Sequence, residues 1–184
     1  MIAAAVTSLI RYTLRAAAVY DPDPAAVLST LNTALRQEYL RDDHDFCTAI
    51  FGMLTPGDDG FILTFASGGH PAPLLIRTNG TADYQAAPGS TLIGVFDDAG
   101  FTATTIRLSP GDTLLLYTDG LTDACTGTAR GRYGDEALHA LARKLAPSSA
   151  TTAIAAISAL LDDLGDGLDD DTAVLALSVP GPAR

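Results

Sequence analysis

The chain has 184 residues, 47% of them hydrophobic and 18% charged, a globular profile at the length of one domain. Its 22 Asp and Glu against 11 Lys and Arg give a formal charge of −11. Such a surface repels phosphate backbones and anionic lipid heads, so neither nucleic acid nor a membrane is expected as a partner. From Ile2 to Val19 no breaker occurs, and Val6, Leu9, Ile10 and Leu14 recur at helical spacing, which predicts a packed helix and not a signal sequence or membrane span. Asp21-Pro22-Asp23-Pro24 ends it and starts a second helix, with Asp23 as the cap, Pro24 at the first helical position, and Val27, Leu28, Leu31, Leu35 and Tyr39 on one face. Past Arg41 to Asp45 the pattern changes to strands. Phe46 to Leu54, a turn at Thr55 to Gly60, and Phe61 to Ser67 read as a hairpin. Pro73 to Arg77, a segment at Tyr84, Ala103 to Leu108 and Thr113 to Thr118 follow as further strands divided by Gly- and Pro-containing turns. Helices return at Gly134 to Leu145 and Ser149 to Leu164, and Thr172 to Val179 is a last apolar run of strand length. Segregated helices and strands predict an α+β layer architecture in a single domain over 1–180, with 181–184 as a tail.

The two cysteines, Cys47 and Cys125, have no zinc or disulfide spacing, and a reducing cytoplasm is the expected compartment. Carboxylates at strand ends carry the sharpest chemical signal. In Leu114-Leu115-Leu116-Tyr117-Thr118-Asp119-Gly120 an apolar strand ends on an Asp-Gly turn, and in Asp169-Asp170-Asp171-Thr172 a carboxylate cluster sits where the final strand begins. Converging carboxylates suit a hard cation such as Mg²⁺ or Mn²⁺, which prefers oxygen ligands and can activate water against a phosphate ester. The same residues also read as an ordinary turn dipeptide and a solvated loop. His70, in Gly-Gly-His-Pro, is a general-acid candidate or a structural turn residue. Its pairing with Ser67 or Cys47 as a nucleophile lacks a Gly-x-Ser-x-Gly elbow and a third group, and Gly68-Gly69 lacks the helix that a phosphate loop requires.

Taken together, Phe46-Cys47-Thr48-Ala49-Ile50-Phe51-Gly52, Ala66-Ser67-Gly68-Gly69-His70-Pro71-Ala72-Pro73, Leu116 to Ala124 and Asp169-Asp170-Asp171-Thr172 resemble the ordered motifs of the PPM-type phosphatases, in the branch typified by stage II sporulation protein E. The resemblance implies a two-sheet antiparallel β-sandwich flanked by helix pairs, with a binuclear Mn²⁺ or Mg²⁺ centre at one end. It places Asp119 at the metal-binding Asp of a Thr-Asp-Gly motif and Asp169 at the metal-binding Asp of Asp-(Asp/Asn)-x-Thr, with Asp170 beside it and a one-residue shift between the two open. The implied reaction is hydrolysis of a phosphoserine or phosphothreonine ester by metal-activated water, on a regulatory phosphoprotein such as an anti-sigma factor antagonist. A homodimer stays open.

The resemblance also implies strands before the first helix, with a Gly-Asp-x-x-Asp segment and an Asp-Val-x-Gly-(Lys/His)-Gly segment whose Asp bridges both metals. Met1 stands where the second segment should have ended, and the one earlier Asp-Gly pair, Asp59-Gly60, falls in the hairpin turn. An N-terminally incomplete fold of low activity is therefore expected, with a non-catalytic pseudophosphatase binding domain or a remnant as the alternative.

Overall fold

The structure is a computed structural model that describes residues 2–39, 46–89, 91–126, 131–165 and 170–181, the side chains of 2–5 and 39 excepted. Four helices and two antiparallel sheets give the expected α+β class. The chain divides into two compact units, one of residues 1–55, 62–70 and 87–106 and one of 56–61, 71–86 and 107–184.

The first unit begins with α1 (Ile2–Tyr20) and α2 (Pro24–Tyr39). The break between them is capped as the sequence predicts. The Ala25 amide donates to Asp23 Oδ1 (3.1 Å), which satisfies one of the donors left over at a helix start, and Pro24 has no N–H to satisfy. Leu28, Leu31 and Leu35 of α2 are buried with Ala49, Ala66 and Ile93, and Val6, Leu9, Ile10 and Leu14 of α1 pack against that cluster. The apolar stripes of the two helices thus meet where helical spacing put them.

Strands β1 (Ala49–Gly57), β2 (Gly60–Gly68) and β5 (Thr104–Leu108) form a three-stranded sheet in that order. The hairpin turn is shorter than predicted. Pairing continues to Gly57, and Thr55 Oγ1 still donates to the Ile62 carbonyl across it. Pro56 is tolerated inside β1 because β1 is an edge strand, where a missing N–H costs no ladder bond. Gly60 closes the turn at φ +104, and a Cβ there would lie 2.1 Å from the Leu108 carbonyl oxygen.

The stretch from Ala87 to Phe101 reads as no element, yet it supplies core. Ile93 is fully buried and exchanges backbone bonds with Cys47 (3.0 Å each way). Asn32, on the buried face of α2, holds this loop: its Nδ2 donates to the Phe96 carbonyl (2.9 Å), and its Oδ1 accepts from the Gly94 amide (2.7 Å).

The second unit is built on the sheet β4-β3-β6-β7, from β3 (Leu74–Ile76), β4 (Ala82–Tyr84), β6 (Thr113–Tyr117) and β7 (Val174–Ser178). One face carries Leu74, Ile76, Leu115 and Tyr117, with Val174 and Ala176. These pack with Leu138 and Ala142 of α3 (Gly134–Leu145) and Ile157 of α4 (Ala150–Leu164). Ser149 caps α4 by accepting from the Thr152 amide. Asp135 and Glu136 open α3 and Arg143 and Lys144 close it, each sign at the helix end that favours it. Among the described residues no helix is long and apolar enough to cross a membrane.

Candidate metal centre

Strand β6 carries the chain from a buried turn at Asp112 to Thr118, and Asp119–Leu121 forms one turn of 3₁₀ helix directly after it. This turn is locked by its own backbone. The Leu121 amide donates to the Thr118 carbonyl (3.1 Å), and the Asp119 carbonyl accepts from the Asp123 amide (2.8 Å) and from Thr122 Oγ1 (3.2 Å). Leu121 and Ala124 are buried beneath it while Asp119 is exposed. At the start of α3 the Tyr133 amide donates to the Ala124 carbonyl and the Gly134 amide to the Thr122 carbonyl (2.8 Å each).

The final strand pairs antiparallel with β6, in the register Tyr117↔Val174 through Thr113↔Ser178. That register brings the residues before β7 alongside those after β6. The Thr118 amide donates to the Ala173 carbonyl (3.0 Å), the Ala173 amide donates to Thr118 Oγ1 (2.9 Å), and Thr118 Oγ1 donates to the Asp171 carbonyl (3.1 Å). Gly120 lies so close that an added Cβ would be 2.7 Å from the Asp171 carbonyl oxygen and 2.9 Å from Thr172 Oγ1. The turn bearing Asp119 and the loop bearing Asp170 therefore meet at one end of one sheet. Asp169, the other ligand candidate in that loop, lies outside the described residues.

Within the meeting point Asp170 Oδ1 accepts from the Asp171 amide (2.7 Å), which fixes the carboxylate close to its own backbone. All the donors here are oxygens, and Asp119, Asp170 and Asp171 are exposed. That chemistry fits a hard divalent cation. In number the set is short: among the described residues no group of three His, Cys, Asp or Glu side chains is arranged to hold a metal ion.

The other candidates fall in the first unit. His70 follows β2 and Gly69, and Ser67 Oγ donates to its carbonyl (3.0 Å), a contact that shapes the turn and makes no nucleophile and base pair. Burial pushes the Cys47 thiol up to about 11, so it stays protonated at neutral pH and is inert as a nucleophile. Sequence reasoning missed a cluster beside the candidate centre. Tyr84 Oη donates to the Asp135 carbonyl (2.7 Å), Tyr117 Oη reaches Asp135 Oδ1 (3.4 Å), and the Tyr84 ring stacks on His139. Burial, with Tyr84 and the Asp135 carboxylate adding to it, pushes the Tyr117 phenol up, so it acts as a donor that ties the end of β6 to the start of α3. A tyrosine at an apolar strand position two residues before the Asp was the available signal.

The stage II sporulation protein E (SpoIIE) family model matches residues 1–180. Protein IcfG of Synechocystis sp. is 26% identical over 98 residues, 51% of this chain and 15% of its own length. The crystal structure of the RsbU and RsbW domains of Rv1364c from Mycobacterium tuberculosis superimposes with a TM-score of 0.75 at 28% identity, over 99% of this chain and 49% of that one. The SpoIIE phosphatase domain of Bacillus subtilis, presoaked with Mn, gives a TM-score of 0.58 at 12% identity over 97% of this chain and 75% of that one, a likeness of fold. This chain thus spans about half of the first structure and a small part of IcfG. The family match over 1–180, on a fold whose two acidic loops meet at one sheet end, shows that the chain belongs to the stage II sporulation protein E family of metal-dependent protein serine/threonine phosphatases.

Proposed function

We propose that this chain hydrolyses phosphoserine or phosphothreonine esters on a regulatory phosphoprotein, such as an anti-sigma factor antagonist, with Mn²⁺ or Mg²⁺ held by Asp119 together with Asp169 or Asp170. The observation that carries this reading is the junction of the two acidic loops through Thr118 and Gly120. A bound cation supplies Lewis-acid polarisation of the phosphoryl group and of water. The chain's own residues give the cation its oxygen ligands and neutralise its charge. The bonds within the Asp119 turn fix the backbone that bears one of these carboxylates. The shortage of a third ligating side chain among the described residues favours slow turnover and keeps a second reading in play, a domain that binds the phosphoprotein without hydrolysing it.

The test is Mn²⁺ binding, followed by electron paramagnetic resonance, with phosphate release from a phosphoserine peptide measured on the same samples. Asp119→Asn removes a charged ligand and is expected to weaken binding and depress release by about a hundredfold, while His70→Ala changes both by less than about threefold. Asp169→Asn and Asp170→Asn, compared with each other, identify the second ligand as the more damaging of the two. If His70→Ala is as harmful as Asp119→Asn, or if both loop variants are silent, the assignment fails. Mn²⁺ binding without release selects the non-catalytic reading.

A further inference from the structure

Thr118 makes more connections between the two acidic loops than any residue assigned to chemistry. Its amide, its hydroxyl hydrogen and its hydroxyl lone pair are all used on one short segment: the amide on the Ala173 carbonyl, the hydroxyl as donor to the Asp171 carbonyl and as acceptor from the Ala173 amide. The hydroxyl bonds span 53 and 55 residues of sequence. The amide bond to Ala173 extends the ladder between β6 and β7 by one step beyond Tyr117↔Val174, and the hydroxyl bonds reinforce it there. Gly120 then limits how the loop can lie, since only a residue without Cβ admits the Asp170, Asp171 and Thr172 oxygens at 2.7 to 3.1 Å.

We propose that Thr118 is the positioning residue of the metal centre: its side chain fixes the backbone of the Asp170-bearing loop against the Asp119 turn, so that the two acidic segments are held together before a cation arrives. This rests on the metal reading above. Residues that orient ligands in this way cost about 10- to 100-fold in metal affinity when lost. A purely structural role for Thr118 would lower stability and leave affinity alone.

The experiment uses the whole chain and Mn²⁺ itself. Thr118→Val keeps the β-branch and removes both hydroxyl bonds, and Thr118→Ser keeps the hydroxyl and is the rescue variant. Gly120→Ala presses on the same loop from the other side without touching Thr118, which preserves the test if the valine variant fails to fold. Asp112→Asn destabilises the opposite end of β6 and serves as a stability control. Amide exchange of Ala173, followed by NMR without metal, reports the anchoring, and Mn²⁺ titration reports the positioning. Thr118→Val is expected to speed Ala173 exchange by about tenfold or more and to weaken Mn²⁺ binding by about tenfold or more. Gly120→Ala should weaken binding similarly, with Thr118→Ser near wild type and Asp112→Asn unchanged in affinity. Unchanged Ala173 exchange in Thr118→Val overturns the anchoring, and faster exchange with wild-type affinity overturns the positioning role alone. A wild-type chain that fails to bind Mn²⁺ overturns the metal reading and the positioning role together.

Discussion

Asp112 is the most heavily bonded carboxylate in the described structure, and its removal gives a quantitative test of what holds β6 in place. Its side chain is 1% exposed and accepts from Arg77 Nη1 (2.9 Å), the Ser109 amide (2.9 Å) and the Thr78 amide (3.2 Å). Hydrogen bonds to a charged group contribute about 1.5–3 kcal/mol each, so the three would sum to about 4.5–9 kcal/mol before the cost of burying the carboxylate is subtracted. Breaking a buried pair by deleting one partner costs about 3–5 kcal/mol, and Asp112→Ala is expected in that range because it also strands two backbone donors. Asp112→Asn keeps an amide oxygen for one of those donors and should lose about half as much, roughly 1.5–2.5 kcal/mol. For a chain of this length the alanine change corresponds to a fall in melting temperature of about 6–20 °C. Urea unfolding followed by circular dichroism, with calorimetry alongside, measures both. A loss below about 1 kcal/mol for Asp112→Ala would mean that solvent replaces the carboxylate freely, and the buried ion pair would then be no anchor.

Asn32→Ala should cost about 1–3 kcal/mol in the same assay, since it removes two part-buried bonds to the loop at Gly94 and Phe96; a loss within 0.5 kcal/mol, roughly the surface-mutation range, would deny that this loop is pinned from α2. Cys47 gives a pH test. Its thiol is neutral when protonated, and its folded pKa near 11 lies above the ordinary 9.0, so the folded state holds the proton longer and stability falls as pH rises from 9.0 towards 11, with no effect at neutral pH. Cys47→Ser should flatten that part of the stability profile, and iodoacetamide labelling of Cys47 followed by mass spectrometry should stay slow below pH 9.0; fast labelling at pH 8 would contradict the burial.

The helices and most strands were legible because each has one dominant period and clear punctuation. α3 has its predicted bounds, and α4 starts one residue late because Ser149 acts as the cap. The hairpin turn was read too long because Thr55-Pro56-Gly57 looks like loop chemistry, and only the edge position of β1 explains why Pro56 remains in a strand. The stretch around Ile93 was illegible: Leu92, Ile93, Val95 and Phe96 form a short apolar run broken by Gly94, too short to fix a period, and the partners of this loop, Asn32 and Cys47, are distant in sequence. At the candidate centre the sequence marked the carboxylates but not what holds them. Thr118 looks like any β-branched residue at a strand end, and its function as a bridge exists only once β7 is paired beside β6.

That pairing explains why two acidic segments about 50 residues apart can form one site at all. In an antiparallel pair the end of one strand lies next to the start of the other, so an Asp placed just after β6 and a carboxylate run placed just before β7 meet whenever the register is kept. The register in turn is set by which side chains face α3 and α4. Val174 and Ala176 pack into that core, whereas Leu175 and Leu177 are on the other face at 55% and 38% exposure. A slip by one residue would turn the two leucines into the helical core and carry Ala173 away from Thr118. The core packing of Val174 and Ala176 in β7 and the approach of Asp170 to the Asp119 turn are therefore a single constraint. It acts through the ladder, and for that reason a change in the helix-facing residues of β7 would disturb the junction of the two acidic segments without touching a carboxylate.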